Sequence, residues 1–452
     1  MKKILIVEDN NMFRETLCEV LENEYSVSGA ENGKAATELM SLADYDLVIS
    51  DVQMPSLSGI ELLEWSIKNK PAPFIIMTGF STLLETKSAF DLGASGFLTK
   101  PFKIDDLRQT IKSILKETKK GDTLPPSLTS QDFCKVQINE FISKPVIDFD
   151  LYIKLSDKNF VKIANKNDQL PKDQINSYSA RGIQHLHILK SDFRKLVQFN
   201  IELVKIAKTR ENIPHQKKLA LLKNTANLIL ESSYTQHIDQ ESLKDSSDFL
   251  QLTVETVSEN DEAFQLMELL GAHSNKLFAH SLVVSMYAIL IAKQVGITST
   301  LTLFRISMAG LFHDIGKKEI DVAVLEKPRH LVTKDERLQV ESHVLRGYEI
   351  LLSIKNVHSD VTRMIVEHHE DQAGTGYPMH KHSRDQHPLS KILQCANILV
   401  DNLSMTEKDE SGNISPIDVL NHIDSIYGPR VDPACMAIIR KLFSKTSGQK
   451  AS

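Results

Sequence analysis

The chain has 452 residues, 41% of them hydrophobic, and a net charge of -6. It is long enough for roughly two to four domains of about 100 to 200 residues, and it has no global basic excess to hold a nucleic-acid backbone or an anionic membrane. No basic recognition helix stands out, so DNA binding is not expected. The opening "MKKILIVEDN" has too short an apolar run for a signal peptide, and no stretch reaches the roughly 18 apolar residues of a membrane span. Cys18, Cys134, Cys395 and Cys435 are scattered and form no CxxC pair. These features predict a cytoplasmic protein with free thiols and no membrane insertion.

Residues 1 to 120 alternate apolar strands with amphipathic helices. "KKILIV", "DYDLVIS", "APFIIM" and "SGFLT" have strand length, and "NMFRETLCEVLENE" and "LSGIELLEWSIKN" are helical between them. That rhythm predicts a doubly wound parallel sheet with helices on both faces, whose chemistry collects at the carboxyl ends of the strands. Glu8, Asp9, Asp51, Thr78 and Lys100 fall at those ends. Three converging carboxylates call for a hard cation, with Mg²⁺ the expectation. Asp51 could then attack a phosphoryl group, Lys100 neutralising charge on its oxygens and Thr78 donating a hydrogen bond.

At "VEDN", "ISDVQMP", "MTGF" and "FLTKPF" this segment resembles the receiver domain of two-component response regulators, whose fold is flavodoxin-like. The resemblance implies that Asp51 is the phosphoacceptor, that Glu8 and Asp9 help to hold Mg²⁺, that Thr78 and Phe97 form the hydroxyl and aromatic switch, and that a sensor histidine kinase is the partner.

"KKGDTLPPSLTS" then reads as a linker. "DFDLYIKLSDKNFVKIANKND" alternates apolar and polar residues about an "SDKN" turn and predicts a hairpin, with "IQHLHILK" a third strand, giving a small β-containing domain over residues 128 to 195. His185 and His187, two apart, would share a strand face, a spacing open to a metal pair but more usual for two edge histidines. From "FRKLVQFNIELVKIAK" to "AFQLMELLG" the pattern is helical and charged, a connector or dimerising region over 196 to 270.

Of 16 histidines, 12 follow residue 270. "KLFAHSLVVSMYAILIAKQVG" predicts an apolar helix with His280 on its buried face. "LFRISMAGLFHDIGKK" predicts a helix ending in His313 and Asp314, with Lys317 beyond a glycine. "ESHVLRGYEILL" places His343 one turn before Gly347, and "VTRMIVEHHE" ends a fourth helix in His368 and His369. Five imidazoles buried beside an aspartate without partners would be costly. A dinuclear centre of Fe, Mn, Zn or Ni satisfies them. In such a centre the aspartate of "HD" bridges two metals, which lower the pKa of a water between them to about 7 and supply a nucleophile for a phosphodiester; Lys317 can neutralise the phosphoryl oxygens.

Residues 271 to 446 resemble the HD-GYP domain, a helical subgroup of the HD phosphohydrolase superfamily known for hydrolysing cyclic di-GMP, through "AHSLVV", "HDIGK", "HVLRGYEIL", "HHE", "GTGYP", "LSKILQCANILVDNL" and "YGPRVDP". The resemblance assigns metal roles to His280, His313, Asp314, His343, His368 and His369, a catalytic role to Asp314 and Lys317, and the family's loop to Gly376, Tyr377 and Pro378. Four departures stand out. Ala373 replaces the aspartate of HHExxDGxGYP; Asn397 replaces a metal-binding aspartate; Lys276 replaces a glutamate that trinuclear members carry; and the acidic "SMTEKDESGN", with only Lys408, replaces a basic grip on substrate phosphates. The expectation is a response regulator whose phosphorylation at Asp51 controls a metal-dependent cyclic di-GMP phosphodiesterase, working as a homodimer. The alternative is a partly degenerate module that senses a nucleotide or docks a partner such as a diguanylate cyclase.

Overall fold

The computed structural model describes residues 1–78, 89, 92–100, 102–115, 128–142, 144, 146–156, 159–180, 182–257, 276–405 and 415–447. The linker up to residue 127, the centre of the "SDKN" turn, the end of the connector, the side chain of Lys276 and the side chains of the 404–413 insertion, Lys408 included, lie outside the described residues. The chain divides into two compact units, Met1–Asp192 and Phe193–Ser452.

The first unit begins with strands β1 (Lys3–Val7), β2 (Ser26–Ala30), β3 (Leu47–Asp51), β4 (Phe74–Thr78) and β5 (Gly96–Thr99), in the parallel order β2-β1-β3-β4-β5. This is the doubly wound, flavodoxin-like sheet the sequence predicts. Successive side chains of β1 point to opposite faces. Ile4 and Ile6 join one core with Leu17, Leu21 and Ile111, while Leu5 and Val7 join the other with Ala36, Leu62 and Ile76. Both faces are covered, so the strands read as continuous apolar runs. β2, "SVSGA", is the exception: an edge strand without such a run, it was not among the runs read from the sequence. Helices α1 (Asn11–Glu22), α2 (Gly33–Leu42) and α3 (Gly59–Asn69) start at Asn10, Asn32 and Ser58, each side chain accepting a backbone N–H of the first turn; α4 (Ile104–Leu115) follows β5.

A second, antiparallel sheet follows, ordered β6-β9-β7-β8, from β6 (Phe133–Gln137), β7 (Leu151–Ser156), β8 (Asn159–Ala164) and β9 (His185–Leu189). The hairpin of β7 and β8 and the third strand β9 agree with the sequence pattern; β6 and α5 (Lys172–Ala180) were not anticipated. On one face Phe133 stacks on Phe160 at 4.1 Å and meets Tyr152 edge-on at 5.0 Å, and His187 lies 5.2 Å from Phe160. β8 runs beside β5, and Lys162 Nζ lies 2.8 Å from Asp150 and 3.6 Å from Asp106 of α4.

The second unit is helical. A connector of α6 (Lys190–Thr209), α7 (His215–Thr235) and α8 (Gln240–Val257) precedes α9 (Lys276–Gln294) and α10 (Thr300–Phe312). The helices then run α11 (Val322–Leu325), α12 (Lys334–Glu341), α13 (His343–Leu352), α14 (Ser359–Glu367), α15 (Pro388–Met405), α16 (Pro416–Ile426) and α17 (Pro433–Ser447). The segment Leu277–Gln294 of α9 is long and apolar enough to cross a membrane by composition, but 78% of it is buried inside the molecule. It packs against α7, α8, α10, α15 and α17, and a helix covered on all sides needs no polar face.

His187 gives this fold a pH dependence. Its Nδ1 is buried without a hydrogen-bond partner, and burial, reinforced by His185 and nearby lysines, lowers its pKa to about 4. The unfolded chain therefore binds this proton first, near pH 6.5. Stability present at neutral pH should fall between pH 6.5 and 4, by up to about 3 kcal/mol. Urea denaturation at stepped pH checks this: His187→Phe should flatten the slope across that window.

Candidate metal centres

The carboxyl ends of the parallel strands bring Glu8, Asp9 and Asp51 together, with an oxygen from each lying within 4.8 Å of the others. Lys100, just past β5, bonds Glu8 at 2.6 Å and Asp51 at 2.7 Å. Burial raises the Glu8 pKa, with Lys100 opposing and Asp51 reinforcing the rise. Three hard oxygen donors with one exposed member suit Mg²⁺, which keeps several waters. Thr78 is fully buried at the end of β4, and Phe97 on β5 packs against the core beside α3. All six receiver residues singled out in the sequence thus lie at this end of the sheet or on its β5 edge.

In the helical unit, four segments converge on Asp314. His280 is the fifth residue of α9; His313 caps α10; His343 opens α13; His368 caps α14, with His369 next. Helices α10 and α14 therefore end at the histidines, one to two residues earlier than the pattern predicts, and Lys317 sits in a 3-10 turn, Ile315–Glu319. Donor atoms of Asp314, His343, His368 and His369 lie within 4.8 Å of one another, and so do those of His280, His313 and Asp314. Asp314 belongs to both groups. Asn397 of α15 completes the second, its Oδ1 2.9 Å from His280 Nε2.

One local device fixes three of the rings. Nδ1 of His313 faces the Gly310 carbonyl at 2.8 Å, Nδ1 of His343 faces Val340 at 2.6 Å, and Nδ1 of His368 faces Ile365 at 2.6 Å, in each case three residues back. A carbonyl only accepts, so each Nδ1 carries a proton, and a ring in its neutral form presents a bare lone pair at Nε2. Those lone pairs point at one another: His343 and His368 Nε2 are 3.3 Å apart, and His313 Nε2 lies 3.3 Å from His280 Nε2 and 3.4 Å from Asp314 Oδ2. Asp314 Oδ1 is 3.2 Å from His343 Nε2, yet it is a buried oxygen with no hydrogen bond. Lone pairs facing lone pairs at buried positions repel unless a cation lies among them, so the donor set fits metal ions. Neutral imidazole with one carboxylate suits Fe, Mn, Zn or Ni.

The electrostatics agree. Burial holds the His368 and His369 pKa values well below the usual imidazole range and lowers that of His280 to about 4. Burial opposes ionisation of Asp314; the attraction of a protonated His313 ring and of Lys317 outweighs it and holds that carboxyl well below the usual carboxylate range, and where His313 is neutral Lys317 carries that attraction. Lys317 Nζ bonds Asp314 Oδ2 at 2.5 Å.

Two glycines let these segments approach. A Cβ on Gly316 would sit 2.0 Å from the His343 carbonyl oxygen, so the turn carrying Asp314 abuts the start of α13 only with glycine there. A Cβ on Gly376 would sit 2.3 Å from the His369 carbonyl oxygen. The loop 374–378 thus folds back on the "HHE" backbone, and Tyr377 stacks on His369 with ring centres 4.7 Å apart. The buried Glu370 is no ligand; its carboxylate accepts the N–H groups of Met379 at 2.6 Å and Lys381 at 2.7 Å. Asp371 explains Ala373. Its Oδ1 accepts the N–H groups of Ala373 at 3.0 Å and Thr375 at 2.8 Å, and Oδ2 accepts the Thr375 hydroxyl. The loop is capped from two residues earlier, a role the sequence reading missed although an aspartate two residues ahead of a Gly-rich turn is an Asx-turn signal.

The structural pattern is matched by known proteins. Residues 4–112 match the response regulator receiver domain model, and residues 264–434 match the HD domain model. Response regulator ArlR of Staphylococcus saprophyticus is 30% identical over 179 residues, which cover 39% of this chain and 78% of ArlR. Transcriptional regulatory protein CrdR of Helicobacter pylori is 38% identical over 120 residues, covering 26% of this chain and 56% of CrdR, so the chain spans about half the length of that relative. The solved structure of Bd1817, an HDG"Y"P protein from Bdellovibrio bacteriovorus, aligns with a TM-score of 0.54 at 16% identity, over 69% of this chain and all of that one, a likeness of fold. The chain belongs to the response regulators, with an N-terminal receiver domain and a C-terminal HD domain. A receiver implies a phosphodonor such as a histidine kinase.

Asp371→Ala should leave the backbone N–H groups of Ala373 and Thr375 without their acceptor and free the loop at a cost of about 1–3 kcal/mol. Hydrogen exchange over residues 373–377 would read it: protection should fall there while α9 keeps its own. Unchanged protection would mean that the loop is held by other contacts.

Proposed function

We propose that the protein is a phosphorylation-controlled response regulator whose HD domain is a metal-dependent phosphodiesterase, with cyclic di-GMP or a related cyclic dinucleotide as substrate. The convergence of imidazole lone pairs on Asp314 carries this reading. Asp314, His343, His368 and His369 would hold one metal, and His280, His313 and Asn397, sharing Asp314, the other. When bound, the metals would supply a water nucleophile near neutral pH and polarise a phosphoryl oxygen.

The chain's own residues do the rest. Asp314 stays ionised, and the i−3 carbonyls keep the ligand lone pairs aimed inward. Lys317, whose side chain is 22% exposed, can exchange its bond to Asp314 for a phosphoryl oxygen and neutralise developing charge. Tyr377 stacks on His369 beside the donor groups, and burial raises its pKa, so its hydroxyl remains a donor. In the receiver, Asp51 is the phosphoacceptor, Glu8 and Asp9 hold Mg²⁺ with it, and Lys100 and Thr78 meet the phosphoryl oxygens. Phe97 sits on β5, the strand that runs beside β8, which gives the switch a route into the second sheet. With a sensor kinase as phosphodonor and a diffusible dinucleotide as substrate, the activity would be cytoplasmic.

A second reading is favoured by Asn397. A neutral amide where a carboxylate would add charge leaves Asp314 as the one anionic donor for two dications. A module that binds a nucleotide, or docks a diguanylate cyclase, without turnover fits that deficit.

Cyclic di-GMP cleavage by the metal-loaded full chain, followed chromatographically, tests the proposal. Asp314→Ala should lower turnover by about 100-fold or more, and Asn397→Asp should raise it. Hydrolysis that survives Asp314→Ala would defeat the enzyme reading, and binding without turnover would support the second. Asp51→Ala should abolish the response to a phosphodonor; an unchanged response would remove phosphorylation control.

A further inference from the structure

The last turn of connector helix α7 is fastened to the metal-bridging segment by two side chains acting in opposite directions. From α7, the Tyr234 hydroxyl donates to the Asp314 carbonyl oxygen at 2.8 Å. From the 3-10 turn, Lys318 Nζ donates to the carbonyls of Ser233 at 2.8 Å and Gln236 at 3.0 Å, on either side of Tyr234. A cation on the carbonyls that end a helix is favourable on both charge and hydrogen-bond grounds. The Tyr234 ring also lies 5.2 Å from that of Phe278, two residues before His280 on α9.

Asp314 is sensitive to such an anchor. Its backbone (φ −97°, ψ 6°) lies in the sparsely populated bridge region between helix and strand. Its carbonyl accepts two bonds, from Tyr234 and from the Lys317 N–H at 2.9 Å. Its side chain makes no cap for the turn it begins, so the carboxylate is free to face the histidines. A displacement of α7 therefore pulls on the backbone of the residue whose carboxylate both donor groups share.

We propose that Tyr234 and Lys318 are positioning residues that make α7 the lever on the metal centre, setting Asp314 for metal binding according to where α7 sits. This rests on the metal-centre reading above and names how that centre would be regulated. Helix α8 packs on both α7 and α10, the helix that ends at His313, so movement of the connector reaches both members of the His-Asp pair.

Co²⁺ titration of the full-length chain, followed by its visible ligand-field spectrum, reads the Asp314 environment without any substrate. Tyr234→Phe removes one hydroxyl from a buried ring and Lys318→Met removes the reciprocal tie. Each should weaken Co²⁺ binding about 10-fold and shift the spectrum, with thermal melting little changed, and Lys318→Arg should restore much of the loss. Wild-type affinity and spectrum in Tyr234→Phe would overturn the proposal. So would a variant that melts far below wild type while its folded fraction binds Co²⁺ normally, because that is simple packing. A wild-type chain that binds Co²⁺ and cleaves no cyclic dinucleotide defeats the hydrolase reading while leaving this result to stand or fall on the spectra. A wild-type chain that binds no Co²⁺ overturns the metal-centre reading and the lever with it.

Discussion

Three imidazoles whose Nδ1 protons are held by carbonyls three residues back present, when neutral, bare Nε2 lone pairs, and here those lone pairs face each other or a buried carboxylate at 3.2 to 3.4 Å. Without positive charge among them this is a repulsive arrangement of buried groups. Much of the second unit serves to impose it. Helices α10 and α14 stop at histidines, so that each ring curls back on its own helix end. Gly316 lets the Asp314 turn touch the start of α13, and Gly376 lets the loop close over His369. The constraint is one of geometry and tautomer together, since a ring with its proton on Nε2 would satisfy its neighbour and bind nothing.

The same logic separates ligands from supports among the conspicuous polar residues. Glu370 stands next to two histidines in sequence, yet both its oxygens hold the backbone of the following loop. Asp371 supports that loop from the other side, which is why alanine at 373 is tolerated. The chain's departures bear instead on charge: with Asn397 where the resemblance leads one to expect a carboxylate, Asp314 is, among the described residues, the one carboxylate common to both donor groups, and anything that turns it would act on both.

The receiver was legible because its pattern is local. Strand-length apolar runs, each ending in a charged or hydroxyl residue, place Asp51, Thr78 and Lys100 at the carboxyl end of a parallel sheet. β2 was missed because "SVSGA", an edge strand, lacks a long apolar run. In the second sheet, β6 was missed because strand pairing across some fifty residues leaves no short-range signal, and α5 because its nine residues bury only Ile175 and Tyr178. In the helical unit the histidine positions pointed to Asp314, since side chains at helix ends and along one apolar face converge when those helices pack. The roles of Asp371, Tyr234 and Lys318 were not legible. Each acts by a hydrogen bond to backbone, for Tyr234 and Lys318 across about 80 residues of chain, and such partners have no sequence spacing to betray them.

The central claim is that the histidine cluster is a metal centre and not an inherited scaffold. Elemental mass spectrometry on protein purified without chelators measures this directly and needs no choice of substrate. Close to two transition-metal ions per chain is the result the account predicts, with Asn397 serving as a neutral ligand. Little or no bound metal, even after reconstitution with Fe, Mn, Zn or Ni, would contradict it and leave the facing lone pairs without an explanation.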